Sequence, residues 1–225
     1  GLHGVARVVD GFLLQVRRLL NFPSLSSINK PSSWHGEELF AGVDWEWSFA
    51  EEELDELRVL SALDQQLDKP IGSELLKKKL GSIQDSLENS SGAVILRDFP
   101  LDTFESEFGA EKISEIFLWL ASQVGTPVSQ SAAGDLILSV RNEAFGKDDS
   151  RTRGPNTNRR LSFHTDRCDV IAFLCLKQAR EGGENELVSS PALYESIRKE
   201  RPDLLSILRQ PFPYQRHVVD KGNAL

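Results

Sequence analysis

At 225 residues the chain is long enough for one sizeable domain or two small ones, and its 40 % apolar and 27 % charged content is ordinary globular usage, so disorder is not the default reading. No stretch approaches the roughly 18 consecutive apolar residues of a membrane-crossing helix, so no membrane partner is expected. The formal net charge of −8, from 34 acidic and 26 basic side chains, repels phosphate backbones and counts against a nucleic-acid partner, while still allowing a local basic pocket for a small acid.

The first 25 residues set Arg7, Arg17 and Arg18 against one acid, Asp10, with an apolar stretch between. Two readings stay open there: an amphipathic organelle-targeting segment, or a plain amphipathic helix packing on the domain. Residue 1 is glycine and methionine is absent, as in a processed chain, a fragment or an incomplete record. Residues 22–36 are rich in Ser and Pro and read as a loop or linker. The close spacing of Trp34, Trp45 and Trp47 favours packing anchors over a stacking platform. Ser48 is expected to cap a helix running through about residue 67, with Leu54, Leu57, Leu60, Leu63 and Leu67 on one face. A second amphipathic helix is expected over 73–88, striped by Leu76, Leu80, Ile83 and Leu87.

Ser90-Ser91-Gly92 breaks that helix, and Ala93-Val94-Ile95-Leu96 is a β-prone apolar run that predicts a buried strand. Ile113, Ile116, Phe117, Leu120 and Val124 predict a helix over 110–124, and 136–140 reads as a strand. The polar stretch 141–160 reads as a long loop, the candidate lid or substrate loop, and Arg151, Arg153, Arg159 and Arg160 concentrate basic charge at its end. Residues 161–166, 170–176 and 186–189 read as strands, with a turn at Gly182-Gly183. Ser190-Pro191 opens a helix over about 191–200, and Pro202 opens another over 203–209. Helices first and irregular strands later make an α+β protein.

Cys168 and Cys175 fit no disulfide framework or zinc spacing. Seven residues apart in what reads as one strand, they face opposite sides and cannot pair. Buried free thiols in a reducing compartment follow. The expected location is cytoplasmic, with the Arg-containing N-terminus leaving a mitochondrial alternative open.

The sharpest chemical feature is Phe163-His164-Thr165-Asp166. In an extended strand, residues two apart project from the same face, so His164 and Asp166 can offer an imidazole nitrogen and a carboxylate oxygen to one ion. One further histidine would complete the two-histidine, one-carboxylate triad of non-haem iron(II), which leaves a face open for a co-substrate and O₂. A bare His-x-Asp also arises as an exposed or hydrogen-bonded pair without a metal.

The surrounding residues carry a resemblance. The stretch RGPNTNRRLSFHTDRCDVIAFLCLKQAREGGENELVSSPALYESIRKER at 153–201 resembles the core block of the TauD/TfdA-like, or clavaminate-synthase-like, iron(II)- and 2-oxoglutarate-dependent dioxygenases. GAVILRDFPLD at 92–102 is similar to that family's early strand, VGTPVSQS at 124–131 to its following loop, and PSSWHGEEL at 31–39 more loosely to its start. The resemblance spans roughly 31–220 and is most specific over 153–205.

The resemblance implies a double-stranded β-helix (jelly roll, cupin-like) core with N-terminal and inserted helices. It divides the chain into an N-terminal extension, 1–30, and a partial oxygenase domain, 31–225. It implies His164 and Asp166 as metal ligands and catalytic residues. Asn185, after the Gly-Gly turn, falls where the family often has Thr or Ser binding a 2-oxoglutarate carboxylate; a turn residue tolerating unusual dihedrals is the competing reading. The implied cofactor is Fe(II), the co-substrates are 2-oxoglutarate and O₂, and the reaction is oxidation, usually hydroxylation, of a small organic substrate with release of succinate and CO₂. The family also uses a distal histidine and, later, an arginine whose fork pairs with the other 2-oxoglutarate carboxylate. Downstream of the motif only His217 is a histidine and no arginine follows it, so His217 is read as surface or substrate-side; His3 and His35 lie outside the matched core. The last strands of the β-helix are therefore expected to be missing after Leu225. Two rival readings remain: a catalytically inactive truncated paralogue serving interaction, and a cupin-like metal protein with His217 as third ligand.

Overall fold

The computed structural model describes residues 5–8 and 12–16 as backbone strands, and residues 32–42, 44–62, 74–131, 133–143, 157–166 and 168–213 in full. In chain order these form strands β1 (Val5–Val8) and β2 (Phe12–Val16), a 3₁₀ turn at Gly36–Glu38, strand β3 (Glu46–Ser48), helices α1 (Glu51–Ala62) and α2 (Glu74–Asn89), strand β4 (Ala93–Arg97), helices α3 (Leu101–Phe108) and α4 (Ala110–Val124), strands β5 (Val170–Leu174) and β6 (Asn185–Val188), and helices α5 (Ser190–Glu200) and α6 (Pro202–Leu208). One sheet has the order β3-β4-β2-β5, with β2 antiparallel to both neighbours and β3 parallel to β4. β1 and β6 pair antiparallel in a second sheet.

The apolar run of β4 is explained by cover on both faces. Alternate residues of a strand face opposite ways. Val94 and Leu96 accordingly join a cluster built by Leu54, Leu57 and Leu60 of α1, Leu76, Leu80, Ile83 and Leu87 of α2, Phe104 of α3, and Ile113, Ile116 and Leu120 of α4. Ala93 and Ile95 point the other way, into a cluster with Trp34, Leu39, Trp45 and Leu187 of β6. β5 divides similarly: Val170, Ala172 and Leu174 pack on the helical side and Phe173 on the tryptophan side. The expected leucine stripes are thus the core, and Trp34 and Trp45 are buried anchors. Trp34 Nε1 also donates to the Ser91 carbonyl at 2.9 Å, satisfying the indole in place.

α1 and α2 are joined by more than leucines. Lys79 and Glu53 form an ion pair of 2.5 Å whose side chains are only 12 % and 13 % exposed. Glu53 also accepts from the Ala50 backbone N–H at 2.8 Å, so its carboxylate serves the start of α1. Glu56 accepts from the Leu76 N–H at 3.2 Å, placing a negative charge from α1 at the N-terminal turn of α2.

Several expectations are corrected. The first 25 residues contain β1 and β2 rather than an amphipathic helix, because β2 fills the gap between β4 and β5; a short apolar run suits either form, and the neighbouring strands decide. α1 begins at Glu51 rather than at a Ser48 cap, since Ser48 still belongs to β3, and residues 63–67 lie outside the described residues. Residues 136–140 and 161–166 are not strands: a strand needs a ladder, and within the described residues neither segment has one. α3 was not foreseen. Asp98, at φ 60°, turns the chain out of β4, and Pro100 precedes the helix. The hydroxyl capping α5 is Ser189, one residue before the expected Ser190: its Oγ accepts from the Ala192 N–H at 3.0 Å and donates to the Ser32 carbonyl at 2.6 Å. At α6 the Arg201 guanidinium grips Asp203 at 3.0 and 2.7 Å and holds its carboxyl below the ordinary range. That contribution is in place above the ordinary carboxylate range and is lost as pH falls through the lowered value.

Candidate metal centre

His164 and Asp166 lie in the segment 157–166, which has no regular secondary structure and leads into β5. Both are exposed, as are their neighbours Leu161 and Phe163. His164 Nδ1 is 2.7 Å from the carbonyl oxygen of Ser162. A carbonyl can only accept, so Nδ1 carries a hydrogen, and in the neutral ring the lone pair then lies on Nε2. A main-chain carbonyl holding the second ring nitrogen is the usual way a metal-binding histidine has its tautomer fixed.

Gly182 and Gly183 have φ of 71° and 83°, a conformation side chains rarely adopt, which is why this turn takes two glycines before β6. A Cβ on Gly183 would also lie 3.2 Å from the Ala179 Cβ. Gly183→Ala is expected to cost about 1–2 kcal/mol, read from urea denaturation midpoints. Asn185 follows as the first residue of β6, exposed and opposite Val8 in the ladder. By strand alternation Asn185 shares a face with Leu187, while Glu186 takes the other.

An ion pair between Arg160 and Glu186 ties the segment ahead of His164 to β6, one residue from Asn185. Arg160 belongs to the arginine cluster of the sequence, but no local pattern marks Glu186 as its partner, 26 residues away. Arg159 is exposed, its backbone N–H reaching Thr157 Oγ1 at 3.4 Å. Most of the candidate lid, 144–156, including Arg151 and Arg153, lies outside the described residues, as do His3, Arg167, Tyr214 and His217. His35 sits at the 3₁₀ turn, where its backbone N–H donates to Glu38 at 2.7 Å. Cys168 and Cys175 flank β5 and are half-buried; neither forms a disulfide.

Among the described residues no group of three or more His, Cys, Asp or Glu side chains could hold a metal ion. One imidazole and one carboxylate two residues on are donor types that iron(II) takes, but because 161–166 is not a strand, strand alternation does not place the two on one face. Within the described residues no helix is long and apolar enough to cross a membrane.

The family model for "Taurine catabolism dioxygenase TauD, TfdA family" matches residues 59–223, most of the chain. The chain belongs to the TauD/TfdA family. It is 32 % identical over 140 residues to FR-33289 synthase of Streptomyces rubellomurinus, a match covering 62 % of this chain and 40 % of that protein. It is 22 % identical over 205 residues to the taurine hydroxylase-like protein SAT17 of Stachybotrys chartarum, covering 86 % of this chain and 53 % of that one. The chain thus spans about half the length of the curated relatives it matches. No solved structure matches it. Membership of this family makes a dioxygenase-type oxidoreductase the class to which the chain is related, and the mixed helix-and-strand fold accords with it.

Proposed function

We propose that residues 31–225 form part of an iron(II)- and 2-oxoglutarate-dependent dioxygenase domain that oxidises a small organic substrate, with β1 and β2 of the preceding segment contributing strands to its sheets. The observation that carries this reading is the His164-x-Asp166 pair inside a family match that extends across it. The opposed placement of Ile95 on one sheet and Leu187 on the other, in one apolar cluster, supports a double-stranded β-helix as the complete core.

In this reading His164 binds through Nε2 while the Ser162 carbonyl keeps Nδ1 protonated and the ring oriented. Asp166 supplies a carboxylate oxygen, lowering the net charge of the bound ion. Asn185 can donate an amide N–H to a 2-oxoglutarate carboxylate, fixing one end of the co-substrate beside the glycine turn. Iron(II) with 2-oxoglutarate and O₂ supplies the oxidising chemistry, with succinate and CO₂ released. The exposed apolar side chains of Leu161 and Phe163 flank the ligand pair and offer a surface for an organic substrate.

Adding iron(II) and 2-oxoglutarate anaerobically to the protein is expected to produce a visible charge-transfer band, and admitting O₂ is expected to convert 2-oxoglutarate to succinate. That no third donor joins His164 and Asp166 among the described residues favours one competing reading, a catalytically inactive paralogue. Absence of both the band and succinate would select it.

A further inference from the structure

We propose that the Arg160–Glu186 ion pair is a positioning device for the segment that carries His164 and Asp166, an inference that rests on the metal-site reading. Residues 157–166 have no ladder or helix to fix them, so their place on the protein depends on a few anchors. Downstream the anchor is β5, which begins at Val170 and is paired along its length with β2. Upstream, Arg160 on Glu186 is an anchor among the described residues, and both ligand residues fall between it and β5.

The two partners are unequal. Glu186 lies on β6, a strand held by its ladder to β1 and by Leu187 in the tryptophan cluster, and its side chain is 18 % exposed against 73 % for Arg160. The carboxylate is therefore the fixed and better shielded member, where an opposite charge is attracted more strongly than in open solvent. The pair passes the order of a strand to an irregular segment. Donors already near their bound arrangement lose less chain freedom when an ion arrives, so holding the segment should appear as metal affinity.

Cobalt(II), whose d–d absorption reports coordination, is titrated into wild-type protein and into Arg160→Ala, Glu186→Gln and the swapped pair Arg160→Glu/Glu186→Arg. Each single change is expected to weaken cobalt binding about two- to fivefold, the range a partly exposed ion pair supplies. The swapped pair is expected to recover most of the loss, with circular dichroism unchanged throughout and the melting temperature unchanged in the single variants. Single variants that bind as wild type does, or a swapped pair no better than the singles, would overturn the tether. Wild-type protein that takes up no cobalt would overturn the metal-site reading, and this proposal with it.

Discussion

His164→Ala is expected to abolish the charge-transfer band formed with iron(II) and 2-oxoglutarate, and to weaken metal binding on the order of 100-fold or more. Loss of an outer support costs about 10–100-fold, and loss of a ligand from a two-donor set must exceed it because the remaining carboxylate no longer chelates. Asp166→Ala is expected to act alike, through the other donor. Because His164 is exposed, and the Ser162 carbonyl loses only one donor, the change should leave stability within about 0.5 kcal/mol. Urea denaturation of the same samples checks that point. An unaltered band in His164→Ala would place the metal elsewhere, and an altered denaturation midpoint would reveal a packing role for the ring.

Phe104→Ala is expected to lower stability by about 3–5 kcal/mol, a large part of the roughly 5–15 kcal/mol available to a domain. Phe104 is fully buried and is the buried residue of α3, so the helix is pinned to the core largely through that ring. Its ring centroid is 5.2 Å from Phe99 and 5.7 Å from Phe108, and Arg58 lies over it at 5.6 Å. Removing it leaves a cavity bounded by two aromatic rings that are themselves held by it. The urea midpoint should fall with little change in slope, and Phe104→Leu should recover most of the loss. A loss below about 1 kcal/mol would mean that α3 is anchored by other contacts.

What could be read in the sequence follows from how local each signal is. α4 and β4 were legible because five apolar residues at helical spacing, or four consecutive β-prone ones, specify an element and its cover together. The glycine turn was legible for a similar reason, since two adjacent positive φ angles require those residues. α3 escaped because a helix of eight residues with Phe104 as its buried contact has too little periodicity to register. The segments 136–140 and 161–166 carry strand-like composition without a partner strand among the described residues, and composition cannot supply one. His164 and Asp166 are proposed from a tripeptide and its surroundings. The Arg160–Glu186 link needed the fold, because it joins residues brought near only by the path of the chain.

The position of β2 bears on how the protein is made. Its ladder to β5 runs from Phe12 opposite Leu174 to Val16 opposite Val170, joining the start of the chain to a point far along it. Contacts of such high order require closure of an enormous loop before any reward arrives. On the ribosome, α1 to α4 and β4 can emerge and consolidate while β2 still lacks one neighbour. Of the sheet's two inner strands β2 is synthesised first, and its second edge is the last to be satisfied.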